Sequence, residues 1–285
     1  MAAHDYLEDL SSLLPAVTLL EKLGFTYLTP TQQLALRGGR TSKCVLESVL
    51  TRQLQQSNHI TFKGKHYPFS DSNIQKAVQA LSSIPFDSLM NTSEQVYDLL
   101  TLGKSLEQTI DGTTKSFSLH YIDWQHLENN VYHVCDEFVL ERRNRKQTRR
   151  PDIVLFVNGI PLVVIECKRP DLKNAAGEGI SQQLRNQRGD EIPELFTYSQ
   201  LLLSISQNNV LYGTTGTPAK FWAVWKEENQ EAQEAILHKL VNTPSSDDFK
   251  ARLFSERPQT QRSFMEHLWQ SGERLPSPQD KALHS

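Results

Sequence analysis

Apolar residues recur at helical spacing through the first part of the chain. Residues 13–23 place leucine and valine three or four positions apart, and Gly24 can end a helix there. Two further stretches, 43–55 and 94–108, show helical character, and the second follows an Asn-Thr-Ser cap signal. The pattern therefore predicts a mainly helical segment over residues 1–110.

The pattern changes to one that favours strands in the middle of the chain. β-Branched and aromatic residues concentrate at 117–124 and 131–140. Two nearly continuous apolar runs, 153–157 and 162–165, then flank Asn158-Gly159, which is a strong hairpin signal. Strands that are apolar along their whole length are usually buried on both faces, so helices are expected on both sides of this sheet.

Helices to cover the sheet are predicted at 175–188 and 193–206, and a further strand at 210–213. This order of elements indicates an α/β sandwich rather than an all-α or all-β fold. We place its core at residues 111–226. The chain from 227 to 285 is mixed and polar, which indicates a C-terminal extension.

Composition narrows the class of protein. With 38% hydrophobic and 22% charged residues and a mean hydropathy of −0.48, the chain fits a soluble globular protein and not a fibrous, disordered or membrane one. Its apolar runs are far shorter than the roughly 20 residues that span a bilayer. The N-terminus lacks the basic start and apolar stretch of a signal peptide. We expect a cytoplasmic protein that does not associate with membranes.

The three cysteines, Cys44, Cys135 and Cys167, lie far apart in the sequence. They form neither a Cys-x-x-Cys pair nor the even framework of a disulfide-rich domain. A zinc ribbon and a disulfide scaffold are both excluded on this pattern. We expect three reduced, structural cysteines.

The charge balance limits how nucleic acid could be bound. Thirty basic against 33 acidic residues give a net charge of −3, which excludes a uniformly basic surface. One stretch, 142–150, is nevertheless dense in arginine and lysine, so phosphate binding could be local. The alternative is an ordinary solvated loop.

Three ionisable residues stand at the ends of the two apolar hairpin strands: Asp152, Glu166 and Lys168. Burying them there is costly without a compensating use. The two-residue period of a strand puts Glu166 and Lys168 on one face and Cys167 on the other, in the core. The alternative is a surface salt-bridge cluster at a strand end.

The register of the hairpin decides whether Asp152 joins the other two residues. A strict two-residue turn sets Asp152 opposite Ile165, on the wrong face, whereas a three-residue loop over 158–160 sets it opposite Glu166. We therefore predict a longer or bulged turn. Two converging carboxylates would suit Mg²⁺, and a neighbouring lysine would stabilise charge that develops on a phosphate.

The arrangement Pro151-Asp152, a 13-residue gap, then Glu166-x-Lys168 resembles the PD-(D/E)xK nuclease motif. Nearly the whole chain is similar to the N-terminal part of the R subunit of type I restriction-modification enzymes. Besides the hairpin, the segments that carry this similarity are 97–105, 121–124, 193–203 and 214–222. The resemblance implies a PD-(D/E)xK nuclease core, a mixed sheet flanked by helices, after a mainly helical segment. It also implies Mg²⁺-dependent hydrolysis of double-stranded DNA, with modification and specificity subunits as partners.

The resemblance also implies roles for individual residues. Asp152 and Glu166 would bind the metal with the carbonyl of Cys167, and Lys168 would assist the attacking water. The family often has a Gln-x-x-x-Tyr motif on the next helix. Gln183 matches its glutamine, and a contact of Gln183 to Lys168 or DNA would give it a supporting catalytic role, although an exposed polar face is the alternative. The tyrosine is replaced by Gln187.

Two sets of supporting residues follow from the same resemblance. An upstream helical glutamate often completes the metal site, and Glu21, Glu47 and Glu94 all remain candidates. Basic residues beside the motif are candidates for contacts to DNA phosphates. They are Arg142, Arg143, Arg145, Lys146, Arg149, Arg150, Arg169 and Arg185.

Only the resemblance to R subunits implies a role for ATP. R subunits couple cleavage to ATP-driven translocation by motor domains, but Gly103-Lys104-Ser105 lacks the earlier glycine of a phosphate-binding loop, since Asp98 stands there. We therefore expect ATP to act only through motor domains absent from this chain, which would be a fragment of a longer subunit.

The alternative function is a docking module that binds DNA or the modification subunit without cutting. A stand-alone repair or RNA nuclease is disfavoured by the breadth of the similarity.

Overall fold

A mixed seven-stranded sheet lies between two layers of helices in the computed structural model, which describes residues 12–143, 146–169, 174–206, 209–225 and 230–257. In order across the sheet, its strands are β1 (Thr26–Tyr27), β6 (Tyr132–Asp136), β9 (Ile153–Val157), β10 (Ile160–Cys167), β11 (Leu201–Ser206), β12 (Asn209–Gly213) and β13 (Ala223–Val224). Only β1–β6 and β10–β11 pair in parallel within this sheet, and its other neighbours are antiparallel. The predicted α/β class and the flanking helices are confirmed.

Between residues 12 and 102, the described part of the chain contains five helices and the first three strands. In chain order the elements are α1 (Leu14–Lys22), β1 (Thr26–Tyr27), α2 (Pro30–Leu36), α3 (Glu47–Ser57), β2 (His59–Phe62), β3 (Lys65–Pro68), α4 (Asp71–Ser82) and α5 (Leu89–Leu102). The predicted helices at 13–23 and 43–55 correspond to α1 and α3. Strands β2 and β3 form a separate antiparallel pair, and β1 joins the central sheet.

The helix predicted at 94–108 begins earlier and ends sooner. α5 starts after Ser88, whose side chain accepts a hydrogen bond from Asn91 N, and Gly103 ends it with a φ of 75°. The chain then enters β4 (Lys104–Ile110), which pairs with β5 (Thr113–Leu119). The prediction was wrong beyond residue 102 because the four-residue spacing of Leu106 and Ile110 fits one face of a strand as well as a helix.

The remaining strands build the rest of the sheet. They are β6 (Tyr132–Asp136), β9 (Ile153–Val157), β10 (Ile160–Cys167), β11 (Leu201–Ser206), β12 (Asn209–Gly213) and β13 (Ala223–Val224). β7 (Leu140–Glu141) and β8 (Thr148–Arg149) form a short pair of their own. The strand predicted at 117–124 ends at Leu119, and the one predicted at 131–140 is divided between β6 and β7.

The helix predicted at 193–206 is wrong in its second half. α7 (Pro193–Tyr198) is short, and β11 follows it, running parallel to β10 from Val163↔Leu201 onward. Gln200 N donates to Leu162 O at the start of this pairing. A run of leucines has no strand period of its own, so the tertiary contact with β10 determines its conformation.

Two hydrophobic clusters cover the two faces of the sheet. On one face, α3, α4, α5, α7 and α6 (Ala175–Asn186) pack against inward residues such as Val154 and Val164. On the other, α1 and α9 (Asp247–Ser255) pack against residues such as Ile153 and Cys167. A further helix, α8 (Gln230–Asn242), precedes α9. None of the helices that the structure describes is long and apolar enough to cross a bilayer.

The three cysteines are buried and none is in a disulfide, as expected. Cys167 belongs to the core cluster on the α1 and α9 face. Burial raises the pKa of Cys44 to about 12, and it also raises the pKa of Cys135. Both thiols therefore stay protonated at neutral pH and act as small apolar residues.

A buried cluster of polar side chains lies on the face of the sheet that α1 and α9 cover, and it stabilises the end of α9. Asp136, in β6, accepts a hydrogen bond from the Tyr27 hydroxyl at 2.8 Å and forms an ion pair with Arg257. Burial and the nearby Asp136 carboxylate raise the pKa of Tyr27, so its hydroxyl remains a donor. Phe249 and Leu253 of α9 are buried beside this cluster. Residues distant in sequence are thereby joined across one sheet face.

The hairpin of β9 and β10 is held firmly at its turn. Asn158 and Gly159 have φ of 53° and 84°, the positive values that a two-residue type I′ turn requires. The Asn158 side chain is buried. Its Nδ2 donates a hydrogen bond to Tyr121 O and its Oδ1 accepts one from Val131 N, both at 2.9 Å. Gly159 O accepts from Leu46 N at 2.8 Å. This end of the hairpin is therefore fixed against the N-terminal helical layer.

Candidate active site

A β-bulge in β10 sets the register at the open end of the hairpin. The turn has two residues, since Val157 pairs with Ile160, so the predicted three-residue loop is wrong. The bulged alternative is correct: pairing shifts between Pro161 and Val163, which leaves Leu162 as the extra residue. Beyond the bulge Ile165 pairs with Ile153, so the next residues in register are Glu166 and Asp152.

Asp152, Glu166 and Lys168 converge at this end of the sheet, as the sequence predicted. The Lys168 ammonium lies 3.6 Å from Asp152 Oδ2 and 3.7 Å from Glu166 Oε2. The Asp152 side chain is 20% exposed and that of Glu166 is fully buried. The lysine therefore lies between one accessible and one buried carboxylate, which it helps to stabilise in the low-dielectric interior.

The backbone next to these side chains is fixed from both strands. Cys167 N donates to Asp152 Oδ2 at 2.7 Å, and Lys168 N donates to Ile205 O at 2.8 Å. The Cys167 carbonyl accepts from Lys168 Nζ at 2.9 Å. The Lys168 carbonyl accepts from Ser12 Oγ at 2.9 Å, on the α1 side. Two carboxylates and a carbonyl thus offer oxygen atoms around one ammonium group.

Gln183 fastens α6 to the strands that carry the site. Its Nε2 donates to Val164 O at 3.1 Å and to Leu203 O at 3.0 Å, and the side chain is fully buried. Gln187, at the position of the family's tyrosine, accepts from Gly216 N at 2.8 Å. Gln183 is therefore placed against the backbone of β10 and β11, not on an exposed helix face.

α6 approaches the site closely at Gly179. A Cβ at this position would overlap Ser204 Oγ and would lie 3.4 Å from Lys168 Cγ. Ser204 is the residue of β11 that pairs with Glu166, and its hydroxyl donates to Ala176 O at 3.0 Å. Glycine therefore lets the helix lie this near to Ser204 of β11.

Replacing Gly179 by alanine is expected to lower the free energy of unfolding by about 1–3 kcal/mol, because the added methyl must push α6 or Ser204 aside. Urea unfolding measures this loss. The double variant Gly179→Ala/Ser204→Ala should recover more than half of it, since the overlapping hydroxyl is gone. No recovery in the double variant would show that the strain arises elsewhere.

Several arginines of the basic stretch make ion pairs within the chain. Glu191 binds both Arg142 Nε at 3.0 Å and Arg149 Nε at 2.6 Å. Arg142 also pairs with Asp190 at 2.8 Å, and Arg143 pairs with Glu194 at 2.8 Å. These contacts join the 142–149 segment to the start of α7.

The other basic candidates lie in different surroundings. Arg150 is exposed and 3.3 Å from Glu137, and Lys146 is exposed. Arg169 follows Lys168 and is half-buried. Arg145 lies outside the described residues. Arg185 is exposed on α6 and lines an open cleft together with Lys168.

None of the three candidate glutamates is placed in a metal-binding group. Glu21 accepts a hydrogen bond from Ser246, Glu47 pairs with Lys43, and Glu94 is exposed. Within the described ranges no three or more His, Cys, Asp or Glu side chains converge to hold a metal ion. Among the residues that the structure describes, Asp152 and Glu166 are the two carboxylates that lie within 4 Å of the Lys168 ammonium.

Sequence reasoning did not single out Ser12, Gly179 or Ser204 at this site. Ser204 fell within the mistaken helix at 193–206, whereas a strand there would have aligned it with Glu166. Arg188 lines the same cleft as Lys168 and Arg185.

Comparison with known proteins identifies the family of the chain. The "Type I restriction enzyme HindI endonuclease subunit" of Haemophilus influenzae is 30% identical over 169 residues, 59% of this chain and 16% of that protein. The "Putative type I restriction enzyme MjaVIIIP endonuclease subunit" of Methanocaldococcus jannaschii is 27% identical over 246 residues, 82% of this chain and 22% of that protein. The chain thus spans about a fifth or less of the length of these two relatives. Residues 5–221 match the family described as type I restriction enzyme R protein N terminus, and the chain belongs to that family.

Proposed function

We propose that this chain carries the nuclease centre of a type I restriction enzyme, and that it hydrolyses phosphodiester bonds of double-stranded DNA with Mg²⁺. The observation that carries the proposal is the convergence of Asp152, Glu166 and Lys168 at one end of the sheet. Membership of the R-protein family agrees with this reaction.

The chemistry of the donor set suits Mg²⁺. This ion prefers oxygen ligands and commonly uses one or two carboxylates with several waters. Asp152 and Glu166 supply two carboxylates, and the Cys167 carbonyl lies on the strand segment between Glu166 and Lys168. When bound, the ion would lower the pKa of a coordinated water and polarise the phosphate.

The chain's own residues have separable tasks in this proposal. Glu166, fully buried, provides a fixed negative charge, and Asp152 provides one that solvent and substrate can reach. The Lys168 ammonium, already within 4 Å of both, would orient the attacking water or stabilise the charge on the phosphate oxygens. Gln183 would act as a positioning residue, because it fixes β10 and β11 relative to α6.

The wider setting of the reaction is also proposed. In the complete R subunit, cleavage would be coupled to ATP-driven translocation by motor domains, and the subunit would assemble with modification and specificity subunits in the cytoplasm. Membership of the R-protein family and similarity to type I restriction endonuclease subunits support the part of this setting that places the chain in a restriction complex.

A non-cutting docking module is the second candidate function. The ion pairs of Arg142, Arg143 and Arg149 favour it, because they reduce the positive charge that this chain alone can offer to DNA. Mg²⁺-dependent nicking of plasmid DNA by the 285-residue chain would exclude the module. Binding of DNA or modification subunit without nicking would favour it.

Calorimetric titration with Mg²⁺ and Mn²⁺ tests the proposed metal site. Asp152→Asn and Glu166→Gln should each remove most of the binding heat, because each deletes a charged oxygen ligand. Glu107→Gln is the matched control, since Glu107 is an exposed carboxylate on β4. Equal binding by the wild-type chain and both site variants, all shown to be folded, would contradict the assignment.

A further inference from the structure

The exposed side of α6 forms one wall of the open cleft that contains Lys168. Arg185 and Arg188 line this cleft with Glu178, Ser181 and Gln182. Positions 181, 185 and 188 are separated by four and three residues, so they follow one another along one side of the helix and its C-terminal cap. Lys168 is paired with Asp152 and Glu166, so the positive charge on this wall of the cleft comes from the two arginines, against the single carboxylate of Glu178.

Arg185 and Arg188 differ from the arginines of the 142–149 segment. Both are exposed, and neither side chain has an ion pair or hydrogen bond with another residue in the part of the chain that the structure describes. Arg142, Arg143 and Arg149, in contrast, pair with Asp190, Glu191 and Glu194. The segment that is richest in basic residues, 142–149, is therefore not the one that offers unpaired positive charge beside the site; among the described residues, Arg185 and Arg188 offer it.

We propose that Arg185 and Arg188 bind backbone phosphates of DNA on one side of the bond to be cut, so that α6 guides the strand toward Lys168. This inference rests on the proposed function and extends it to Arg188. Phosphate contacts of this kind orient a duplex without reading its sequence.

The dimensions of the helix indicate which phosphates are contacted. Lys168 lies against Gly179, and a helix rises about 1.5 Å per residue, so Arg185 is about 9 Å further along α6. Arg188 lies just beyond the C-terminal cap of this helix, Gln187. One DNA strand advances about 3.4 Å per nucleotide along its axis. Arg185 would therefore contact a phosphate about three nucleotides from the bond at Lys168, and Arg188 would contact one further along the same strand.

The test measures binding of a short DNA duplex by fluorescence anisotropy, without divalent metal, over a range of salt concentrations. Arg185→Gln and Arg188→Gln should each weaken binding roughly tenfold at low salt and lower the salt-dependence slope by about one. The double variant should lose roughly a hundredfold. Arg52→Gln is the matched control, because Arg52 is an exposed arginine on another helix, α3, and should leave both quantities unchanged.

Unchanged binding in the double variant, an equal loss in Arg52→Gln, or no binding by the wild-type chain at low salt would each overturn the inference. The Glu166→Gln variant separates this outcome from failure of the proposed function. If DNA binding depends on Arg185 and Arg188 but metal binding does not depend on Glu166, the phosphate contacts stand and the nuclease proposal fails. If metal binding depends on Glu166 but DNA binding does not depend on Arg185 and Arg188, the nuclease proposal stands and only the phosphate contacts are refuted.

Discussion

Replacing Glu166 by glutamine is expected to reduce Mg²⁺-dependent DNA cleavage by about 1000-fold or more. The change removes a charged ligand from a buried position, and metal-ion stabilisation of a transition state amounts to several kcal/mol, with each 1.36 kcal/mol worth tenfold in rate. The shape of the side chain is kept, so the packing between β10 and β11 should survive. The measurement is the rate of plasmid cleavage by the assembled enzyme that contains this chain.

The control for this prediction separates lost chemistry from lost folding. Glu107→Gln makes the same chemical change on an exposed strand and should cleave at the wild-type rate. Circular dichroism and urea unfolding should show that Glu166→Gln remains folded. Cleavage by a folded Glu166→Gln variant within tenfold of wild type would remove Glu166 from the catalytic centre.

Replacing Asp136 by alanine is expected to lower the free energy of unfolding by about 3–5 kcal/mol, the usual cost of removing one partner from a buried ion pair. The change leaves the buried Arg257 guanidinium without this carboxylate and removes the acceptor of the Tyr27 hydroxyl. The attachment of α9 to the sheet should weaken with it. Urea unfolding followed by tryptophan fluorescence gives the free energy.

Two further variants show whether the ion pair itself is responsible. Asp98→Ala removes an exposed aspartate from α5 and should change the free energy of unfolding by less than about 0.5 kcal/mol. The double variant Asp136→Leu/Arg257→Met should regain most of the loss, because apolar residues of similar volume replace a buried pair well. A loss below about 1 kcal/mol in Asp136→Ala would show that the cluster contributes little.

Local sequence patterns predicted the structure correctly where short-range signals and burial agree. The hairpin follows from Asn158-Gly159 between two apolar runs, and the alternation of Glu166, Cys167 and Lys168 places the first and third residue on one face. α6 follows from a helical pattern at 175–188. Each of these features depends on residues close together in sequence, which is the range over which periodicity carries information.

The remaining features depend on contacts between distant residues. β11 is a strand because it pairs with β10, and nothing within its own leucine run distinguishes it from a helix. Arg142 and Arg149 are neutralised by Asp190 and Glu191, which lie more than 40 residues away in the sequence. A basic stretch in the sequence therefore indicates available positive charge only once the fold shows which acidic residues face it.

The bulge at Leu162 has a consequence for how the length of this hairpin can vary. Residues that pair across a regular two-residue turn have an even number of residues between them, whereas 13 residues lie between Asp152 and Glu166. Because the turn here has two residues, this odd number obliges the hairpin to carry one unpaired residue. Relatives that are shorter by one residue should therefore lack the residue corresponding to Leu162, since a deletion elsewhere in either strand would turn one of the two carboxylates toward the opposite face of the sheet.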